Sequence, residues 1–147
     1  MQRPRFTFLA MPATPEGAGD RPGHLISWVL ASSNQRLLAR ANTSFDSYSA
    51  SYADLLRLRE GLDRVDYVTV AIPDVARWIW RASIDGTAMA VASRSYLRVR
   101  ECHYSLGKFK DAVGTAEVNP EIRIVDSGHM MHRRARAQAA HDSFGVH

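Results

Sequence analysis

Two stretches of this 147-residue chain carry the same apolar pattern at an offset of 51 residues. Phe45, Ser51, Leu55, Leu58 and Leu62 fall on Tyr96, Cys102, Leu106, Phe109 and Val113. Such a self-match restricts the architecture strongly, because a short recurring unit has to bury its apolar face against its own copy. Within each stretch the apolar residues recur at three and four: Tyr48, Leu55, Leu58, Leu62 and Val65, then Val99, Cys102, Leu106, Phe109 and Val113. This spacing predicts one amphipathic helix per stretch. Asp46 or Ser47 is placed to cap the first helix, whereas nothing after Ser95 makes a good cap for the second.

A pair of short alternating segments precedes each helix. Trp78 to Ser83 reads as a strand, Asp85-Gly86 is a two-residue hairpin turn, and Thr87 to Ser93 is the return strand. The first stretch repeats this more weakly, with Leu25 to Ser32, a turn at Ser33-Asn34, and Arg36 to Ala41. A third strand precedes each hairpin, Phe6 to Met11 in one case and Tyr67 to Ile72, ended by Pro73, in the other. Between Pro12 and Gly23 the first stretch carries a Pro-Gly-rich insertion, read as a long hairpin loop.

The expected fold is therefore α+β: two tandem βββα repeats, about 5–65 and 66–114, forming one antiparallel sheet with both helices packed on one face. A single unit of about 50 residues would have a thin core, so the copies should share one. Residues 115–147 form a C-terminal extension, in which Glu121 to Val125 alternates like an added edge strand and the remainder is expected to be partly disordered. With 46% apolar residues the chain can bury a core without metal or disulfide. A lone cysteine, Cys102, fits a reducing compartment, no apolar run reaches membrane-span length, and a cytoplasmic location is expected. Cys102 itself lies on the apolar stripe and is expected in the core.

Trp80-Arg81, Asp85-Gly86, Val91-Ala92-Ser93-x-x-Tyr96 and a helix carrying Cys102, Leu106 and Phe109, echoed by Trp28, Leu38-Ala39 and Phe45, resemble the repeat of the YegP-like proteins of unknown function. The resemblance covers about residues 5–114. It implies tandem βββα repeats in a single antiparallel sheet, with helices exchanged between repeats as one arrangement, and no known activity. The long 12–23 loop, the Ser33-Asn34 turn and the C-terminal extension depart from the family pattern.

Net charge is +4, but it is unevenly spread: Arg94, Arg98, Arg100, Lys108 and Lys110 lie within seventeen residues that hold one acid, Glu101. These form a candidate partner-binding surface. Alternation along the Trp78–Ser83 strand sets Trp78 and Trp80 on one face and Arg77, Ile79 and Arg81 on the other. If the tryptophans pack under the helices, Arg77 and Arg81 face away from them as candidate contacts to phosphate or an acidic partner.

Catalytic signatures are missing. The sequence has no Gly-x-Ser-x-Gly and no His-Glu-x-x-His, and the glycines at 17, 19 and 23 are followed by a strand rather than the helix a phosphate cradle requires. His129 and His132 lack defined third and fourth ligands, so no metal and no cofactor is expected. The leading expectation is a small non-enzymatic binding module for nucleic acid or an acidic protein. The alternative is an enzyme or small-ligand-binding protein with a pocket between the repeats, lined by His103, Tyr96 and Tyr104. As to assembly, a pseudo-twofold monomer is expected, able to pair into a homodimer through a sheet edge at Ile122, Ile124 and Val125.

Overall fold

Alternating apolar and polar residues build most of a single seven-stranded sheet. A computed structural model describes residues 3–12 and 23–125. In chain order the strands are β1 (Arg5–Pro12), β2 (His24–Ala31), β3 (Leu37–Ala41), β4 (Val65–Ile72), β5 (Arg77–Ile84), β6 (Thr87–Ala92) and β7 (Glu117–Ile124). Helix α1 (Tyr48–Glu60) follows β3, and α2 (Val99–Val113) follows β6. The sheet order is β4-β5-β6-β3-β2-β1-β7. Every pairing is antiparallel except that of β7 with β1.

Register decides which residues share a face. Phe6 pairs with Leu30, Leu30 with Ala39 and Ala39 with Ala92, and Phe8 pairs with Trp28. Alternation then carries Trp80 and Ala82 to that same face. Here the helices lie: Trp28 Nε1 donates to Asp54 Oδ2 of α1 at 2.9 Å, and Trp80 Nε1 donates to Ser105 Oγ of α2 at 3.1 Å. Trp80 also packs on Phe109, ring centroids 4.6 Å apart, and Phe6 meets Trp28 edge-on at 5.5 Å. The small residues Ala39, Ala41, Ala90 and Ala92 occupy the middle strands, and all four are buried.

Each turn is explained by its residues. Asp85 and Gly86 both have positive φ, 50° and 83°, the backbone that a two-residue hairpin with the natural strand twist demands. At the β2–β3 connection Gln35 takes the positive φ, and the Ser32 amide donates to the Arg36 carbonyl to close the loop. Ser47 caps α1, its hydroxyl accepting from the Ala50 amide at 3.1 Å. Helix α2 has Arg98 at its N-cap and no side-chain cap hydrogen bond, as the absence of a capping residue predicts.

Several sequence-based boundaries move. Leu62 and Val65 leave the first helix: α1 ends at Glu60, Leu62–Arg64 is a 3-10 turn and Val65 opens β4. The stop is at Gly61, where an added Cβ would stand 2.8 Å from Ile84 Cδ1 and 3.2 Å from the Arg57 carbonyl, so the chain passes close to β5 and turns. Phe45 and Tyr96, read with the helices, instead precede them and bridge in the antiparallel sense to Ile26 and Trp78. The Glu121–Val125 strand exists but begins earlier, at Glu117, and joins β1. Its register shifts between Phe6 and Phe8, where Pro120 lies on β7 and Asn119 Oδ1 accepts from the Glu121 amide. Gly17, Gly19, His129, His132, His141 and His147 lie outside the described residues, and Gly23 immediately precedes β2.

Ser51 and Cys102 occupy the same place on their respective helices, each with no solvent exposure. The Ser51 hydroxyl has no hydrogen-bond partner among the described residues. An orphaned buried hydroxyl costs about 1–3 kcal/mol, so Ser51→Ala is expected to raise stability by about 1 kcal/mol once the small lost volume is set against it. Urea unfolding of the two proteins checks this; a lower midpoint in the variant would mean that the hydroxyl is satisfied.

Candidate binding cleft

The β2–β3 turn, the start of β3, the segment from β6 into α2 and the first half of α2 surround a cleft of about 1010 Å³. Its base is stitched together by Ser93, whose amide donates to the Leu38 carbonyl at 3.2 Å and whose hydroxyl donates to the Leu37 carbonyl at 2.7 Å. These bonds set the exit of β6 beside the entry of β3, although the two are more than fifty residues apart in sequence.

One wall is helical. Arg100, Tyr104 and Lys108 recur at four-residue intervals and so form a single stripe along α2, rising about 6 Å per step. Tyr104 is 68% exposed. Lys108 Nζ lies 5.4 Å from the Tyr104 ring centroid, and the Arg94 guanidinium lies 5.1 Å from that of Tyr96. Facing this wall are Asn34 and Arg36 on the turn, followed by Leu37. Arg36, Arg94, Arg100 and Lys108 are all exposed, and among the described residues none of them forms an ion pair. Glu101 is the one acidic residue on the lining. The result is a concave surface with four cations, two aromatic rings and the neutral hydrogen-bonding side chains of Ser32, Asn34, Ser93 and Ser105.

The structure thus brings Arg94, Arg100 and Lys108 together, and sorts the other sequence candidates elsewhere. Arg98 is exposed at the N-cap of α2, outside the cleft lining. Lys110 lies over the Tyr67 ring at 4.5 Å, against β4. Burial raises the pKa of that tyrosine. Arg77 and Arg81 project from the face opposite the helices and are half-buried, with the fully buried Ile79 between them. That face is less open than its arginines suggest: Val29 and Val91 are buried on it, and burial lowers the pKa of the half-buried Arg40. Of the residues suggested for a pocket between repeats, Tyr96 and Tyr104 line the cleft and His103 does not.

Sequence reading misses Arg36 and Asn34. Neither belongs to a local basic run, and only the β3–β6 pairing brings their turn to α2, so no one-dimensional signal marks them.

Cys102 is fully buried, and desolvation pushes its thiol up from 9.0 to about 11. A thiol whose folded pKa is raised favours the fold below its unfolded pKa and withdraws that support as pH climbs through the folded one. Stability is therefore expected to fall between about pH 9 and pH 11 by an amount that Cys102→Ala removes, as followed by chemical denaturation. Equal pH dependence in both proteins would contradict the burial argument.

No family model matches the chain, and no curated protein does. Among solved structures it is similar to the protein of unknown function yegP from E. coli, with a TM-score of 0.54 and 10% identity, over 81% of this chain and 91% of that one. The fold is that of YegP. A UPF0339 protein from Shewanella oneidensis is similar too, with a TM-score of 0.57 and 8% identity, over 86% of this chain and 98% of that one. At such identities the likeness to YegP shows the fold, as the Trp80–Tyr96 residues of the sequence imply, and says nothing about activity. No helix among the described residues of this YegP-like fold is long and apolar enough to cross a membrane.

Proposed function

We propose that this chain is a non-enzymatic binding module that holds an anionic macromolecule in the cleft between the β2–β3 turn and α2. The observation that carries the reading is the convergence of Arg36, Arg94, Arg100 and Lys108 on one concavity, with no carboxylate partner among the described residues. Exposed cations that already pair with acids contribute little to a ligand, whereas unpaired ones gathered in a concave site focus the field on an incoming anion.

Two further readings belong with this one. The order βββα followed by βββα, the parallel Trp–helix hydrogen bonds and the paired bridges Ile26–Phe45 and Trp78–Tyr96 support a diverged duplication over about 5–65 and 66–114, with 115–147 as an addition. Exposed Ile122 and Ile124 on edge strand β7 support homodimer formation through that edge.

Titration with inorganic polyphosphate at low salt, followed by amide chemical shifts, tests the cleft. Shifts should concentrate at Asn34–Leu37 and Ser93–Lys108. The double charge reversal Arg94→Glu, Arg100→Glu should weaken binding at least about tenfold, while Arg77→Glu, Arg81→Glu has a far smaller effect. Absent binding, or shifts confined to the Arg77 and Arg81 face, would refute this assignment.

A further inference from the structure

We infer that the anion is a single strand of nucleic acid, with its phosphates on the cleft cations and an unstacked base on the Tyr104 ring. This inference rests on the cleft being an anion site and adds to it the class of ligand.

Three observations separate a nucleic acid from an acidic protein. First, the cations alternate with aromatic rings: Arg100, Tyr104 and Lys108 run in that order along α2, and Arg94 accompanies Tyr96. A carboxylate-rich peptide has use for the cations alone, whereas a nucleotide repeats a charge and a π-face. Second, Tyr104 is 68% exposed on a helix whose buried face is made by Cys102, Leu106 and Phe109, so packing of the fold gives no reason for a ring there. Lys108 lies against the ring at 5.4 Å, and the ring remains open enough to receive a base. Third, Asn34 brings a side-chain amide to the same concavity, a group suited to reading a base edge, held in place by the Ser32 hydroxyl that donates to its Oδ1.

The spacing favours a single strand over a duplex. Along α2 the one exposed ring, Tyr104, stands between cations about 12 Å apart, so a base that reaches it has to leave the stacked array, as the bases of a single strand can. A concave site also keeps the stacked, paired bases of a duplex from the ring, while splayed bases enter it.

The site is single. An offset of 51 residues maps Arg94, Arg100, Tyr104 and Lys108 onto Thr43, Ser49, Ala53 and Arg57, and Arg57 is already bonded to Asp54 at 3.3 Å. One strand segment per chain is expected.

The test compares, by fluorescence anisotropy at fixed low salt, labelled oligo-uridine and oligo-thymidine, an abasic phosphodiester strand of the same length, and polyglutamate. The base-bearing strands should bind at least about fivefold tighter than the abasic one. Tyr104→Ala should abolish that difference and leave abasic binding unchanged, and Tyr104→Phe should restore it. Four phosphate contacts predict a log–log salt slope of about −2.8, or about fiftyfold weakening from 50 to 200 mM salt. Equal affinity for base-bearing and abasic strands overturns the stacking inference while leaving the anion site intact. Tighter binding of polyglutamate overturns it in favour of an acidic protein. No binding of any polyanion, polyphosphate included, removes the anion site as well.

Discussion

Trp80→Ala is expected to cost about 3–5 kcal/mol and to lower the melting temperature by roughly 10–20 °C. The indole is wholly buried, packs on Phe109 at 4.6 Å and donates to Ser105, so truncation opens a large cavity at the seam between β5 and α2 and leaves the serine hydroxyl without its donor. Against a total stability of about 5–15 kcal/mol, the variant should be close to unfolding at physiological temperature. Trp80→Phe keeps most of the volume and loses the hydrogen bond, so it should recover most of the loss. Thermal melting by circular dichroism reads both. A shift of only a few degrees for Trp80→Ala would show that α2 is held by something other than this seam.

Asp54→Ala should destabilise by about 2 kcal/mol, more than Ser105→Ala at the matching place on α2. Asp54 is 6% exposed and accepts from both the Trp28 indole and the Arg57 guanidinium, whereas Ser105 offers a neutral oxygen to Trp80 alone. Removing the carboxylate strands a buried indole N–H, a penalty of about 1–3 kcal/mol. Asp54→Asn retains an acceptor and should lie between the unchanged protein and Asp54→Ala. A double-mutant cycle pairing Asp54→Ala with Trp28→Phe isolates the contact, because once the indole is replaced no donor remains to be orphaned. Equal losses with and without Trp28→Phe would place the effect of Asp54 in its ion pair with Arg57 rather than in the indole bond.

Those two seams also show what kind of information the chain carries locally. Leu55, Leu58, Leu106 and Phe109 recur at three and four, so the helix faces destined for burial are marked before anything is folded, and Trp28 and Trp80 alternate at a period of two, which separates the two faces of their strands without saying which one the helices cover. The Asp85-Gly86 turn and the Ser47 cap are equally local, since each depends on the conformational preferences of one or two residues. By contrast, the end of α1 is a matter of long-range packing. The apolar stripe runs on through Leu62 and Val65, yet the close passage at Gly61 against Ile84 stops the helix and hands Val65 to β4.

The parallel docking of β7 on β1 is equally beyond local reading. Glu121 to Val125 announces a strand, but its partner is more than a hundred residues away, and period-two alternation is the same whichever way the neighbouring strand runs. Nor does alternation reveal that Ile79, Val29 and Val91 are buried on the face away from the helices.

The set of strands and helices, the apolar stripe of each helix, the two-sided alternation of the strands and the basic run from Arg94 to Lys110 can all be read from the chain unfolded, because they follow from periodicity and from the chemistry of adjacent residues; which side of the sheet the helices cover cannot. Which of those cations act together depends on how the elements pair. The β3–β6 pairing brings Arg36 to Arg94, Arg100 and Lys108, while the twist of a helix sends Lys110 to Tyr67 and the pleat of a strand sends Arg77 and Arg81 to the other face. A charge run is a one-dimensional property, whereas a binding site is a convergence of side chains in space, and strand pairing between residues more than fifty positions apart is what creates it.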